Sequence, residues 1–340
     1  MTQVLNRQIR LAERPAGLPG PGTWRLTEDG PPQPAEGEVL VEVEYVSVTP
    51  AMRTWLRDTD SYVPPVAVGD VMRAQGVGRV VDSRDRRYAV GDTVVGWFGV
   101  QTYAALNGES LTRVDTDLAP APTWLGLLGN TGLTAYFGLF YVGAAKPGET
   151  VLVSGAAGAV GSTVGQLAKL HGCRVVGVAG GAEKRAWLVK DLGLDAAIDY
   201  KDGDVKAALK AAAPDGIDVF FDNVGGQILE VALTQLRTRA RIVICGAISS
   251  YNAAEPPPGP STYMSLVVKS ATMTGFLLAD FADRFEQARK HLATTLTDGR
   301  LVAREHVVAG GVAHFPEALT MLFSGANTGK LVLAVRTPAN

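Results

Sequence analysis

The stretch VLVSGAAGAVGSTVGQLAKLHG, Val151–Gly172, constrains the fold more than any other part of this chain. Val151–Ser154 is a short, mostly apolar run that reads as a buried parallel strand. Gly155, Gly158 and Gly161 then set a tight turn, and a helix is expected to about Leu170. Strand, glycine-rich turn and helix in this order form a dinucleotide-binding unit. Small residues let the backbone approach a pyrophosphate, and the helix N-terminus offers unpaired N–H groups and the positive end of its dipole. The glycine pattern is A-x-G-x-x-G starting at Ala156, with alanine where the strict motif has its first glycine. An ordinary glycine-rich turn remains the alternative on this motif alone.

The residues C-terminal to the motif bear on the nucleotide. A second strand is expected over Arg174–Ala179, and its end carries Gly180 and Gly181 where an NAD-binding unit places the Asp or Glu that holds the ribose hydroxyls. Lys184 and Arg185 come directly after. The missing carboxylate removes repulsion and the cations add attraction for a ribose phosphate, so the expected cofactor is NADP(H). The plainer reading of Lys184 is a solvated residue in the first turn of a helix starting near Glu183. It fits less well, because cations are disfavoured at that end of the helix dipole.

Further strands are expected at Ala196–Asp199, Asp218–Asp222, Arg241–Cys245 and Met273–Leu278, with helices at Glu183–Leu192, Val205–Ala213 and Gln227–Leu236 between them. An amphipathic pattern, Phe281–Leu296, comes next and stops at Asp298–Gly299. Alternating strands and helices of this kind give a doubly wound parallel sheet in an α/β protein. The first 120 residues differ: Glu38–Val48 alternates like a half-exposed strand, short strands recur at 77–82 and 92–97, and Gly and Pro separate them densely. Lys330–Val335 reads as a late strand that completes this β-rich body. The expected organisation is a β-rich domain from 1–125 and 312–340 with a nucleotide domain, 126–311, inserted between its parts, and ligand in the cleft at the carboxyl ends of the parallel strands. At 340 residues two domains are the natural expectation. The loop EPPPGP, Glu255–Pro260, is the one low-complexity patch.

With 32 basic and 34 acidic residues, nothing in the charge balance points to nucleic acid or an anionic membrane. The N-terminal MTQVLNRQIRLAERP lacks the apolar core of a signal peptide, no apolar run approaches a membrane span, and the two cysteines, Cys173 and Cys245, lie far apart. A cytoplasmic, reduced protein is expected.

LGNTGLTAYFGL (Leu128–Leu139), GAAGAVGSTVGQ (Gly155–Gln166), VVGVAGGAEK (Val175–Lys184), FFDNVGG (Phe220–Gly226), CGAISSYN (Cys245–Asn252), GFLL (Gly275–Leu278) and GANTGKLV (Gly325–Val332) occur in this order and spacing. On them the chain resembles the medium-chain dehydrogenase/reductase superfamily, in particular its zinc-independent branch of leukotriene/prostaglandin and double-bond reductases, over nearly its whole length. The resemblance implies a GroES-like β-rich catalytic domain beside a Rossmann cofactor domain. Gly158, Ala159, Val160 and Gly161 would face the pyrophosphate, and Lys184 and Tyr200 the 2′-phosphate. Asn223 would contact the cofactor near the ribose and nicotinamide. Cys245 would line the cleft through its backbone, Phe276, Leu277 and Leu278 would run beside the nicotinamide, and Asn327 would reach in from the C-terminal segment. Tyr251 matches a tyrosine placed near the nicotinamide ribose and the substrate carbonyl, and is the expected polar catalytic group. A homodimer through the edge strand Met273–Leu278 is also implied. Taken singly, Asn223 as a helix cap, Cys245 as a buried hydrophobe and Tyr200 as a strand-end aromatic are equally good readings.

Two cysteines cannot form a four-cysteine zinc lobe, and Gly69–Val80 lacks the histidine and glutamate of zinc alcohol dehydrogenases, so no zinc is expected. His171, His291, His306 and His314 are scattered. Without a Lewis acid to lower a hydroxyl pKa, alcohol oxidation is hard to run. Hydride delivery to the β-carbon of an enone or enal asks only for one or two donors at the carbonyl oxygen where charge develops, with solvent able to protonate the α-carbon. The resembled reductases commonly read D-P-Y-M-R where this chain has Thr49-Pro50-Ala51-Met52-Arg53. Ala51 removes an aromatic wall and a donor, and Trp55, Trp97, Phe98 and Tyr103 either line a larger pocket or, the favoured reading, pack the β-rich core. Three functions stay open: an NADPH-dependent enone or enal reductase; a quinone reductase or reductive cyclase of a larger polyenone; and a non-catalytic NADPH-binding protein.

Overall fold

A computed structural model describes residues 4–59, 61–255 and 257–336; the expected outer segments therefore lose residues 1–3 and 337–340, and the EPPPGP loop loses Pro256, all outside the described residues. Six parallel strands form one sheet in the order Ala196–Ile198, Arg174–Val178, Thr150–Ser154, Ile217–Asp222, Leu236–Ile244, Thr272–Gly275. The order reverses direction at Thr150–Ser154, which makes a crevice at its carboxyl end and that of Ile217–Asp222. Thr150–Ser154 is buried along its whole length because helices cover both faces of the sheet. Val151 and Val153 join one core with helices Asn130–Phe137, Ala159–Leu170 and Phe285–Thr297. Leu152, facing the other way, joins a second core with Val205–Ala212 and Gly226–Leu233.

Element ends differ from the sequence expectation where backbone geometry outweighs side-chain pattern. The helix expected to Leu236 stops at Leu233, because Leu236 is already paired with Ile217 in the sheet. The strand expected to Leu278 stops at Gly275, and Leu278–Arg284 is a 3-10 turn in which Phe281 leaves helical geometry (φ −116°, ψ 17°). Phe281 stacks on Phe137 with ring centroids 4.7 Å apart, and the helix proper begins at Phe285.

The other half is a seven-stranded sheet. Glu305–Val308, Lys330–Ala334, Glu38–Ser47, Gly76–Ser83, Thr93–Gly96 and Thr112–Arg113 lie side by side, and Tyr103–Asn107 also pairs with Glu38–Ser47. Its core holds Val39, Val41, Val43, Met52, Trp55 and Phe315. Trp55, Phe98 and Tyr103 are buried, in keeping with core packing, whereas Trp97 is 48% exposed.

Lys330 opens the strand that joins this sheet to the half built on the parallel sheet. Its side chain is buried, its Nζ donates to Val48 O at 3.0 Å, and burial pushes its pKa down to about 7. The folded chain therefore binds fewer protons here than the unfolded chain from about pH 7 to about pH 10, so this group lets stability rise with pH across that window. Lys330→Met is expected to gain most in melting temperature, relative to wild type, at the acid end, with the difference shrinking toward about pH 10. A difference that does not change with pH in thermal melts would show that Lys330 is not held neutral.

Candidate functional site

The site is built at the crevice. Gly155 turns with φ +57°, Gly158 N donates to Gly155 O at 2.9 Å, and Gly158 is the N-cap of helix Ala159–Leu170. A Cβ at Gly161 would collide with Gly155 O and lie 2.8 Å from Ala156 Cα, so the helix can start against its own turn only with glycine there. Gly161→Ala is expected to lower melting temperature and weaken NADPH binding by about tenfold or more, given the ~1–3 kcal/mol usual for overpacking. Fluorescence titration with NADPH reads this directly, and unchanged affinity would dissociate the turn from the cofactor.

The C-terminal segment closes over the turn. Gly329 N donates to Ala157 O at 2.8 Å, Lys184 Nζ donates to Gly325 O at 2.7 Å, and buried Asn327 donates through Nδ2 to Gly329 O at 3.2 Å. Gly180 is the floor of a corner beside it: a Cβ there would meet Lys201 Cε at 2.8 Å and Tyr200 Cε1 at 2.9 Å. Lys201 Nζ sits 5.8 Å from the Tyr200 ring centroid. Burial, and then the charge of Lys201, hold Lys184 below its usual pKa. Arg185, in contrast, pairs with Asp199 at 3.4 Å, and Asp199 also accepts from Gly181 N at 2.9 Å. The second cation of the corner is thus Lys201, which the sequence pattern did not single out. Its signal was its place at the end of the next parallel strand, since ends of neighbouring strands meet.

Asp222 ends its strand fully buried. It accepts from Ser154 Oγ at 2.6 Å and from Val224 N and Gly225 N at 3.0 Å, and burial raises its pKa against those bonds. Asn223 donates through Nδ2 to Ser154 O at 2.7 Å, so it ties the two strand ends together; Gly225, not Asn223, caps the next helix. Cys245 N donates to Asp222 O at 2.9 Å, and burial raises its thiol pKa to about 12. Cys173 lies elsewhere, buried, with its Sγ donating to Lys146 O at 3.3 Å. Phe276 packs edge-on to Phe281 (6.3 Å), Leu278 packs against the same core, and Leu277 is 44% exposed.

Tyr251 comes directly after the 3-10 turn Ile248–Ser250. Its hydroxyl accepts from Ala247 N at 3.1 Å, which leaves its proton for another acceptor, and burial raises its pKa. The hydroxyl also feels Tyr62, a residue with no motif to mark it in the sequence, whose oxygen accepts from Trp55 Nε1 at 3.4 Å. Ala51 starts the short helix Ala51–Thr54 on the β-rich side, and the Arg73 guanidinium lies 5.6 Å over the Trp55 ring nearby. Among the described residues no three His, Cys, Asp or Glu side chains gather as a metal site, and no helix is long and apolar enough to cross a membrane.

Two family models match the chain: an N-terminal domain of oxidoreductase over residues 7–114 and a zinc-binding dehydrogenase over residues 159–294. The chain is 46% identical to a putative NADP-dependent oxidoreductase of Bacillus subtilis, covering 98% of each chain. It is 42% identical to an NADPH-dependent curcumin reductase of Escherichia coli, covering 97% of each. Among solved structures, CurA from Vibrio vulnificus in complex with NADPH superposes with a TM-score of 0.93 at 38% identity, over 98% of this chain and 100% of that one.

Proposed function

The chain belongs to the zinc-independent reductase branch of the medium-chain dehydrogenase/reductase superfamily, and from that premise we propose that it reduces the C=C bond of α,β-unsaturated ketones or aldehydes with NADPH. The observation that carries the cofactor choice is the corner of Lys184, Tyr200 and Lys201 on Gly180, with no carboxylate facing it from the end of Arg174–Val178. Two ammonium groups there suit a 2′-phosphate, and Gly158–Gly161 at the helix N-terminus suits a pyrophosphate. Asn223, Cys245 and Phe276–Leu278 would border the rest of the nucleotide, and Asn327 would cover it from the C-terminal segment.

When bound, NADPH supplies the hydride for the β-carbon. The protein's part is to hold the acceptor at reacting distance and to stabilise the charge that develops on its carbonyl oxygen. Tyr251 donates its hydroxyl proton in a hydrogen bond to that oxygen. Its raised pKa keeps the proton in place through the neutral range, as a donor requires. A bulky acceptor would find apolar surface on Trp97 and Tyr62, both exposed and both set against Trp55, and the small Ala51 side chain puts no aromatic wall in its way.

The protein works in the cytoplasm as a homodimer. Support for the dimer is the sheet edge Thr272–Gly275, flanked by exposed Tyr263, Met264, Val267, Val268 and Leu277, an apolar patch a second copy would cover. The deciding experiment follows NADPH consumption, beside NADH, with a panel of enones, enals and quinones. Saturable turnover of enones or enals with NADPH supports the reading. Turnover of quinones alone replaces it with quinone reduction, and tight NADPH binding without oxidation replaces it with a binding role.

A further inference from the structure

Two arginines of the β-rich half reach across to the loop that carries Tyr251. Arg57 Nη2 donates to Tyr251 O at 2.9 Å and to Ala253 O at 2.7 Å. Arg53 Nε is shared between Asn252 Oδ1 at 3.1 Å and Gly17 O at 3.0 Å, and its Nη2 reaches Pro15 O at 3.2 Å. The three loop residues Tyr251, Asn252 and Ala253 are thus all held from the other half of the molecule.

The arrangement is expensive. Arg53 is fully buried, its Nη1 makes no hydrogen bond, and burial and the like charge of Arg57 both work against it. Neither guanidinium has a carboxylate partner among the described residues; carbonyl oxygens and one amide carry the solvation. A pair of apolar residues would pack such a junction with less desolvation, so stability alone does not account for two cations there. Guanidinium forks do have one property an apolar contact lacks: they fix backbone carbonyls in direction as well as distance. Arg57 fixes two such carbonyls, that of Tyr251 itself and that of Ala253 two residues on.

We infer that Arg53 and Arg57 are positioning residues, which grip the Tyr251–Ala253 loop from the β-rich half and so set the place of the Tyr251 hydroxyl relative to an acceptor lodged beside Ala51. Substrate would bind against one half of the molecule and hydride would come from the other, and this grip is what registers the two. The inference rests on the reductase reading for its catalytic consequence, but not for its structural one.

The test uses Arg57→Met, since Arg57 is only half-buried, with Arg57→Lys as the conservative variant and Asn252→Ala to remove the side-chain acceptor of Arg53. Hydrogen exchange of the free protein is expected to speed up by about tenfold in peptides covering 247–253 of Arg57→Met, with little change elsewhere. In turnover, Arg57→Met is expected to lower kcat by about tenfold with KM for NADPH changed less than about threefold. The isotope effect from NADPH dideuterated at the nicotinamide C4 should rise, and Arg57→Lys should recover part of the loss. Combined with Tyr251→Phe, Arg57→Met should cost little beyond Tyr251→Phe alone, because both act through one hydroxyl. Unchanged exchange in 247–253 overturns the inference whatever the wild type turns over. So do costs that multiply, or a fall in kcat that tracks melting temperature with the isotope effect unmoved. A wild type inactive on every enone, with exchange altered as expected, removes the reductase reading and leaves the grip standing.

Discussion

Lys184→Ala together with Lys201→Ala is expected to cost the protein its preference for NADPH. A charge-assisted hydrogen bond to a phosphate is worth about 1.5–3 kcal/mol, so one lysine changes kcat/KM for NADPH by roughly 10- to 100-fold and the pair by more. NADH has no 2′-phosphate for either ammonium, so its kcat/KM should move by less than about threefold. The preference, measured as the ratio of the two, then collapses toward one. Lys184 also holds Gly325 O, so its loss loosens the C-terminal segment; the NADH control separates that from the missing charge. Equal losses with both nucleotides would show that Lys184 acts through the segment and not on the phosphate.

Tyr251→Phe is the second large effect. It keeps the ring and removes the donor, and loss of one preorganised oxyanion donor typically lowers kcat by about 10²-fold or more. KM for the enone should stay within a few-fold, since charge on the carbonyl oxygen develops only in the transition state. The wild-type donor is lost only when the hydroxyl ionises. With its pKa raised above the ordinary ~10, the kcat profile should show no tyrosine-dependent fall until pH exceeds that value. A kcat unchanged in Tyr251→Phe would assign the hydroxyl to its bond with Ala247 N and send the search for a donor to Tyr62.

Much of the nucleotide half was legible because its physics is local. Val151–Val153 is apolar on both faces since both faces are covered, and Gly161 is glycine since the turn touches the helix there. What escaped was set by distant partners. Strand Glu305–Val308 shows no clean alternation and exists because Lys330–Ala334 pairs with it. Helix Phe315–Ser324 is the exception: Phe315, Ala318 and Leu319, buried in the β-rich core, recur at the i, i+3, i+4 spacing of a helix, a signal the sequence carries. Lys201 is the neighbour of Tyr200 in the sequence, yet its meaning comes only from lying on Gly180. Arg57 carries no mark of its role, since nothing near it in sequence announces Tyr251 O as its partner.

The hydrogen bonds from Gly329 to Ala157 and from Lys184 to Gly325 carry a consequence for how this chain comes apart. A two-part molecule of this length would ordinarily melt in two steps. Here the segment over the glycine turn is continuous with strand Lys330–Ala334 of the β-rich sheet, so lifting it off the turn pulls on the other half. A nucleotide bound at that turn, as proposed, would add its binding free energy to both halves at once. The saturated protein should therefore unfold as one cooperative unit, riveted by the short stretch between Gly325 and Lys330.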